Sequence, residues 1–288
     1  MFASLIFGAA VVTEFQEALY PEWRQTFAVE EMIAQEKTKF WDLAIFENKI
    51  FGKVMAIDGI VQITEKDEGA YHEMLVHVPL LSHSNPKSVL IIGGGDGGIL
   101  REVLRHENIE RVVQVEIDKT IIELSKKYFP SVSNGAFEDP RAKIVIQDGA
   151  HFVKTSEERF DVVIVDSNDP EGPAKMLFTS EFYGDCKKIL HRNGILVNQN
   201  GVPFLQKEEL HLTEERRKPH FKNVTFYVAS VPSYTGGLMA LGWASDMKYR
   251  VSEKILQERL SKIKGKMHYY TPQIHKASFA LPQFMMER

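Results

Sequence analysis

The sequence predicts a doubly wound α/β domain preceded by a small antiparallel β unit, and three observations lead there. From residue 88 onward, short Val/Ile-rich runs alternate with helix-like segments. Those runs are almost continuously apolar, as strands covered on both faces are. Before residue 65 the pattern is different: brief β-rich runs separated by turn residues.

Residues 1–12 are apolar and uncharged. They are too short to span a bilayer and lack the basic start of a secretory signal, so residues 1–14 read as a disordered or loosely packed extension. A β domain is expected over 15–70 and a Rossmann-like domain over 71–288. Within the first, Leu43-Ala44-Ile45-Phe46 and the run from Lys53 to Ile57 read as strands, and Asp58-Gly59 is a hairpin turn into Ile60-Val61-Gln62-Ile63. Residues 68–83 place Tyr71, Met74, Leu75, Val78 and Leu81 at helical spacing, predicting a linking helix. Strands follow at 88–92, 112–117, 144–147, 162–165 and 195–198, with helices running to residues 105, 128 and 190. The runs 223–230 and 238–244 complete the sheet as an antiparallel edge pair.

With 288 residues, 44% of them hydrophobic, the chain can bury a large core and a smaller one. A formal net charge of −4, with no run of Lys and Arg, excludes bulk nucleic-acid binding. The single cysteine, Cys186, cannot form an internal disulfide. That suits a reducing, cytoplasmic setting, and Cys186 reads as a small buried apolar residue.

Ligands of such sheets bind beyond the carboxyl ends of the strands, and here those ends carry acids. The first strand leads into Gly93-Gly94-Gly95-Asp96-Gly97-Gly98, a GxGxxG loop between strand and helix. Spacing alone fits many nucleotide binders. Asp96 narrows the choice, because a carboxylate there repels a pyrophosphate and favours a phosphate-free or cationic ligand. The structural alternative is that Asp96 caps the next helix.

Glu116 ends the second strand about twenty residues past the glycine loop, where an acid commonly holds ribose hydroxyls. Asp118 reads as a helix N-cap. After the third strand, Asp148-Gly149 offers an acceptor for an exocyclic base amine or a plain turn. The fourth strand ends in Asp166-Ser167-Asn168-Asp169-Pro170-Glu171-Gly172-Pro173. Carboxylates so close repel one another unless cations lie between them; a pair of unit charges 4 Å apart is worth about 4 kcal/mol at an effective dielectric of about 20.

These motifs, together with Tyr71-His72-Glu73-Met74, Gln199-Asn200-Gly201 and Pro232-Ser233-Tyr234, resemble the spermidine synthase type of aminopropyltransferase over nearly the whole chain from about Phe15. The resemblance implies a methyltransferase-like Rossmann domain behind a small N-terminal β domain, in a homodimer or homotetramer. It implies transfer of an aminopropyl group from decarboxylated S-adenosylmethionine to putrescine, giving spermidine and methylthioadenosine, without metal or other cofactor. Asp166 is then the proton acceptor. Glu116, Asp148, Gly149, Pro173, Gly93 and Gly95 form the nucleoside site, and Asp96, Asp169, Tyr71, His72, Tyr234 and Gln199 the aminopropyl and amine site. Asp96 would also repel the carboxylate of intact S-adenosylmethionine and so select the decarboxylated donor.

Two positions depart from the family pattern. Trp41 replaces a common Gln, putting one donor contact in doubt, and Gly69 replaces a bulky aromatic, which would widen the pocket. A methyltransferase would share the fold, the loop and Glu116, but Asp96 and the acids of residues 166–169 argue against it. A non-catalytic nucleoside or polyamine sensor would not need Asp166 with Tyr71 and Tyr234. His72 and His77 lie five residues apart, about 140° around a helix, so they do not share a metal-binding face. His77 and His83 read as helix-surface residues, and His151 has no assigned role.

Overall fold

The computed structural model describes residues 2–7, 10–170 and 172–287, with side chains from residue 13 on, so Glu171 of the acidic loop lies outside the described residues. Strands β1 (Phe2–Phe7), β2 (Ala10–Gln16) and β3 (Thr26–Val29) form one antiparallel sheet. The reading of residues 1–14 as a disordered or loose extension is corrected: β1 and β2 pair over six positions and β2 continues onto β3, with Phe15 opposite Phe27. Phe15 and Phe27 are buried with Phe46, Val54 and Val61, so the end of this segment is anchored in a core.

Strands β4 (Glu31–Lys37), β5 (Asp42–Asn48), β6 (Gly52–Ile57) and β7 (Ile60–Thr64) form a second antiparallel sheet. The predicted turn joins β6 to β7, with both Asp58 and Gly59 at positive φ, as a tight hairpin of that twist requires. Alternation along these strands builds two faces. Leu43, Ile45, Met55, Ile57 and Ile63 pack with Ile121, Phe129 and Val132 of the following domain, whereas Phe46, Val54 and Val61 pack with Phe15 and Phe27.

Helix α1 (Glu68–Ser82) then leads into the large domain: β8 (Ser88–Gly93), α2 (Gly98–Leu104), β9 (Arg111–Glu116), α3 (Lys119–Tyr128), α4 (Pro130–Ser133), β10 (Ala142–Ile146), α5 (Gly149–Thr155), β11 (Phe160–Asp166), α6 (Ser180–Ile189), β12 (Leu190–Gln199), α7 (Lys207–Arg217), β13 (Asn223–Ser230), β14 (Leu238–Ser245), α8 (Glu253–Leu260), α9 (Pro272–Ala277) and α10 (Gln283–Met286). The seven-stranded sheet has the order β10-β9-β8-β11-β12-β14-β13. β8 to β12 are parallel, and β14 is antiparallel to both β12 and β13. This is the doubly wound, methyltransferase-like sheet with its antiparallel edge pair. Strand order reverses between β8 and β11, which opens a crevice at their carboxyl ends.

Helix α1, with His83 as its C-cap, is not the surface helix that His77 and His83 suggested. It packs against α2 and α8 and against strands β11 to β13, and every residue from Gly69 to Ser82 is buried. His77 and His83 are 0% and 1% exposed, correcting the surface reading. Among the described residues no helix is long and apolar enough to cross a membrane. Cys186 is buried, as read from the sequence.

Candidate active site

A cavity of about 380 Å³ lies at the crevice between β8 and β11, roofed by the N-terminal β unit. Every predicted site residue lines it: Tyr71, His72, Gly93, Gly95, Asp96, Glu116, Asp148, Gly149, Asp166, Asp169, Pro173, Gln199 and Tyr234. They come from sequence positions far apart because parallel strands bring their carboxyl ends to one edge of the sheet.

The glycine loop is dictated by crowding. Gly93 and Asp166 are paired residues of β8 and β11. At Gly93, φ is +83° and an added Cβ would fall 1.9 Å from the Asp166 carbonyl oxygen. At Gly98 a Cβ would fall 2.1 Å from the His72 ring. The first glycine brings two strand ends together, and the last lets α2 close onto α1.

The acids divide into two environments. Asp96 Oδ1 accepts from the Gly98 N–H at 2.6 Å and lies 3.4 Å from His72 Nε2. Asp96 therefore ties down the first residue of α2, although Gly97 holds the N-cap position, while lining the cavity. Burial opposes its ionisation, yet His72 and the Gly98 N–H hold its pKa below the ordinary value. Asp166 Oδ1 accepts from the Tyr71 hydroxyl at 2.5 Å. Burial and the neighbouring Asp96 charge raise Asp166 to about 6, against the opposing effects of His72 and Tyr71. Asp169 Oδ2 accepts from Gln206 Nε2 at 2.7 Å, and burial raises its pKa. Tyr234 stands edge-on to Tyr71, with ring centroids 6.0 Å apart, and donates to the Gln62 carbonyl at 2.8 Å. Gln199 Oε1 accepts from the Gly201 N–H.

At the end of β9, Glu116 is 5% exposed and its Oε1 accepts from the Asp118 N–H at 3.0 Å. Burial raises it to about 7. Asp118 caps α3 through the Thr120 N–H, as predicted. Asp148 caps α5 through Oδ1 and the His151 N–H, so Asp148-Gly149 opens a helix and is not a plain turn, while Asp148 borders the cavity. His151 itself is exposed.

Trp41 lines the cavity, and its indole N–H is buried without a partner among the described residues. Gly69 does not widen the cavity: it is absent from the lining, and a Cβ there would meet His268 instead. Glu17 escaped the sequence reading. It is 3% exposed and lines the cavity; its Oε1 accepts from the Val61 N–H at 3.0 Å and its Oε2 from the Thr235 hydroxyl. Burial raises its pKa. The available signal was alternation, since Glu17 follows buried Phe15 by two positions. Gln206, the partner of Asp169, was also missed, and no local pattern marks it.

His72, Asp96 and Asp166 could each direct one atom at a common point, within 4.8 Å of one another. Both ring nitrogens of His72 face carboxylates, Asp96 on one side and Glu68 on the other at 2.6 Å. Burial disfavours the charged ring, but these two carboxylates raise His72 to about 10. A ring protonated at both nitrogens has no lone pair to offer a metal. The trio is a carboxylate pair with an internal cation, suited to holding ammonium groups.

Fold and site together define an α/β enzyme whose crevice is lined by carboxylates from the strand ends. Residues 68–254 match the Spermine/spermidine synthase domain and residues 10–65 the Spermidine synthase tetramerisation domain. The chain is 49% identical to the polyamine aminopropyltransferase of Serratia proteamaculans over 273 residues, 94% of this chain and 95% of that protein. It is 48% identical to the enzyme of the same name from Escherichia fergusonii over 276 residues, 95% of this chain and 96% of the other. A spermidine synthase solved with the transition-state analogue AdoDATO superposes with a TM-score of 0.89 at 39% identity, covering 94% of this chain and 92% of that one. The spermidine synthase of Thermotoga maritima gives 0.87 at 38%, with the same coverage. The chain belongs to the spermine/spermidine synthase family of polyamine aminopropyltransferases.

Proposed function

We propose that this aminopropyltransferase makes spermidine and methylthioadenosine from putrescine and decarboxylated S-adenosylmethionine. The observation that carries the reading is how the cavity's acids are partnered: Asp96 faces His72, Asp166 takes the Tyr71 hydroxyl and Asp169 the Gln206 amide, with Tyr234 beside Tyr71, whereas Glu116 and Asp148 are held by backbone N–H groups beyond β9 and β10. Glu116 holds the ribose and Asp148 with Gly149 the adenine, with Pro173 against the nucleoside and Gly93 and Gly95 giving close backbone approach. Asp96 takes the ammonium of the aminopropyl arm. Asp169, Gln199, His72 and Tyr234 shape the acceptor site.

The acceptor nitrogen attacks the carbon beside the sulfonium in line. As the N–C bond forms, the C–S bond breaks and its electron pair stays on sulfur as a neutral thioether. The acceptor begins as an ammonium of pKa about 10, so it must lose one proton, and Asp166 receives it. Its pKa near 6 makes it a better base than an ordinary Asp, and Tyr71 fixes its direction. In-line alignment of two bound substrates contributes several kcal/mol more, up to about 7 to 11. The displacement calls for neither metal nor redox cofactor, because the leaving group departs neutral.

The match of residues 10–65 to the tetramerisation domain supports assembly as a homodimer or homotetramer. A cytoplasmic setting accords with the one buried cysteine. Asp96 also selects the donor, since the carboxylate of intact S-adenosylmethionine would meet it. Asp96→Asn tested against both nucleosides is expected to narrow the preference for the decarboxylated form; an unchanged ratio overturns this role. Competition among putrescine, cadaverine, agmatine and spermidine is expected to rank putrescine first, and a better substrate among the other three overturns that assignment.

A further inference from the structure

A line of buried charges starts at Asp96 and leads away from the cavity. Asp96 Oδ1 lies 3.4 Å from His72 Nε2, and His72 Nδ1 lies 2.6 Å from Glu68 Oε2. Arg101 grips both oxygens of Glu68, Nη1 to Oε1 at 3.0 Å and Nη2 to Oε2 at 2.8 Å. The same guanidinium donates to the Val132 carbonyl at 2.7 Å and, through Nε, to Glu102 Oε1 at 2.8 Å. Glu102 Oε2 in turn meets His77 at 2.8 Å and Arg105 at 2.5 Å. With His72 charged, the signs alternate along the line, so each buried charge has an opposite neighbour. Neither Glu68 nor Arg101 lines the large cavity.

We propose that Glu68 and Arg101 are positioning residues of the transfer reaction: by holding the far side of the His72 ring, they fix the direction and charge of the Asp96 carboxylate. This rests on the reading of Asp96 as the group that takes the donor's ammonium.

Three features of geometry support it. Glu68 precedes His72 by one helical turn, the spacing at which side chains on one helix face meet. Arg101 presents two parallel N–H groups to one carboxylate, an arrangement that fixes orientation as well as charge. The start of α2 closes against the ring at Gly98, where a Cβ would leave it no room. His72 is 2% exposed and cannot swing into water.

The charged groups facing His72 are Glu68 on its own helix, Asp96 before α2 and Asp166 at the end of β11, with Arg101 behind Glu68 and the Tyr71 ring 5.6 Å from its own. Burial works against the protonated ring, but Asp96 and Glu68 raise it to about 10. Glu68 stays ionised despite its own burial, because His72 and Arg101 hold it near 2. Removing the Glu68 charge leaves the ring one carboxylate for two nitrogens. His72 then titrates within the working range, and Asp96 loses its steady counter-charge as the pH rises.

The test is a histidine ring NMR titration of the wild-type protein and Glu68→Gln, paired with pH profiles of kcat/KM for the decarboxylated donor. Wild-type His72 is expected to stay charged through about pH 9, while in Glu68→Gln it titrates at about pH 7 to 8. The variant is expected to lose about tenfold in donor kcat/KM, with a new break in its profile at that pH and an unchanged acceptor KM. Arg101→Lys, which keeps the charge but not the fork, is expected to fall between the two. Wild-type His72 titrating near 6.5 overturns the clamp, with no variant needed. A Glu68→Gln profile parallel to that of wild type overturns it as well. Wild-type protein that holds His72 charged but transfers nothing from the decarboxylated donor overturns the functional reading instead.

Discussion

Asp166 is under two opposing demands. Its carboxylate must be ionised to take a proton, yet it is buried beside Asp96, and that environment raises it from 3.8 to about 6. Activity therefore has an acidic limb: kcat/KM falls as pH drops through about 6, as the base becomes protonated. Asp166→Asn is expected to lower kcat by about 10²- to 10⁴-fold, the range for loss of a general base, with donor affinity by calorimetry largely retained. A raised pKa also means that above both values the ionised group destabilises the fold, here by an amount on the order of 3 kcal/mol. Asp166→Asn should thus melt at least about 3 °C higher than wild type; a lower Tm contradicts the account of its environment. Glu116, raised to about 7, predicts donor affinity that weakens as pH falls through neutrality, and Glu116→Ala should raise donor KM about tenfold with little change in kcat. The strand-end acids were legible because residue type and place in the strand–helix alternation point to the same crevice. Glu68 and Arg101 were not, since their partnership depends on how α1 and α2 dock. His77 and His83 were misread for the same reason: helical spacing says nothing of a second and third neighbour covering the polar side.

Among the elements, the glycine loop and α1 form the most tightly specified joint. An extra methyl at Gly98 has nowhere to go, because its position lies inside the His72 ring contact distance. Gly98→Ala is expected to cost about 1 to 3 kcal/mol in urea denaturation and to lower kcat/KM with the displaced His72. Wild-type stability and turnover in that variant would mean that α2 does not close on α1 as described. The alternation from residue 88 foretold the parallel strands and the edge pair because each strand's apolar run is its own signal. The helices α5, α8, α9 and α10 were not read from the sequence, having too few turns for a periodic pattern to stand out, and α7 was not because its largely polar residues carry no apolar stripe. Strands β1 and β2 were missed because an unbroken apolar run hides the two-residue alternation that marks a half-buried strand.

The molecule as a whole places several histidines in water-poor surroundings. Burial lowers His275 to about 4 and His83 below its ordinary value; burial and neighbouring His77 hold His106 well below. These rings fold neutral, so their contribution is present above about pH 6.5 and is lost as the unfolded chain takes up protons at lower pH. Over that range Asp166 and Glu116 act in the opposite sense, since the fold gains stability as they are neutralised. The His275 part, on the order of 3 kcal/mol between about pH 6.5 and 4, is therefore read as the difference in urea midpoint between wild type and His275→Gln, which should shift in the variant's favour as pH falls. Docking of the two β units on the larger domain could not be read locally either, yet it completes the cavity by bringing Glu17, Trp41 and Met55 over the strand ends. The most direct test of the central claim is product analysis by mass spectrometry after incubation with decarboxylated S-adenosylmethionine, with and without putrescine. The account predicts one methylthioadenosine for each spermidine, and neither product without the acceptor; no methylthioadenosine, or a homocysteine nucleoside formed from intact S-adenosylmethionine, would contradict it.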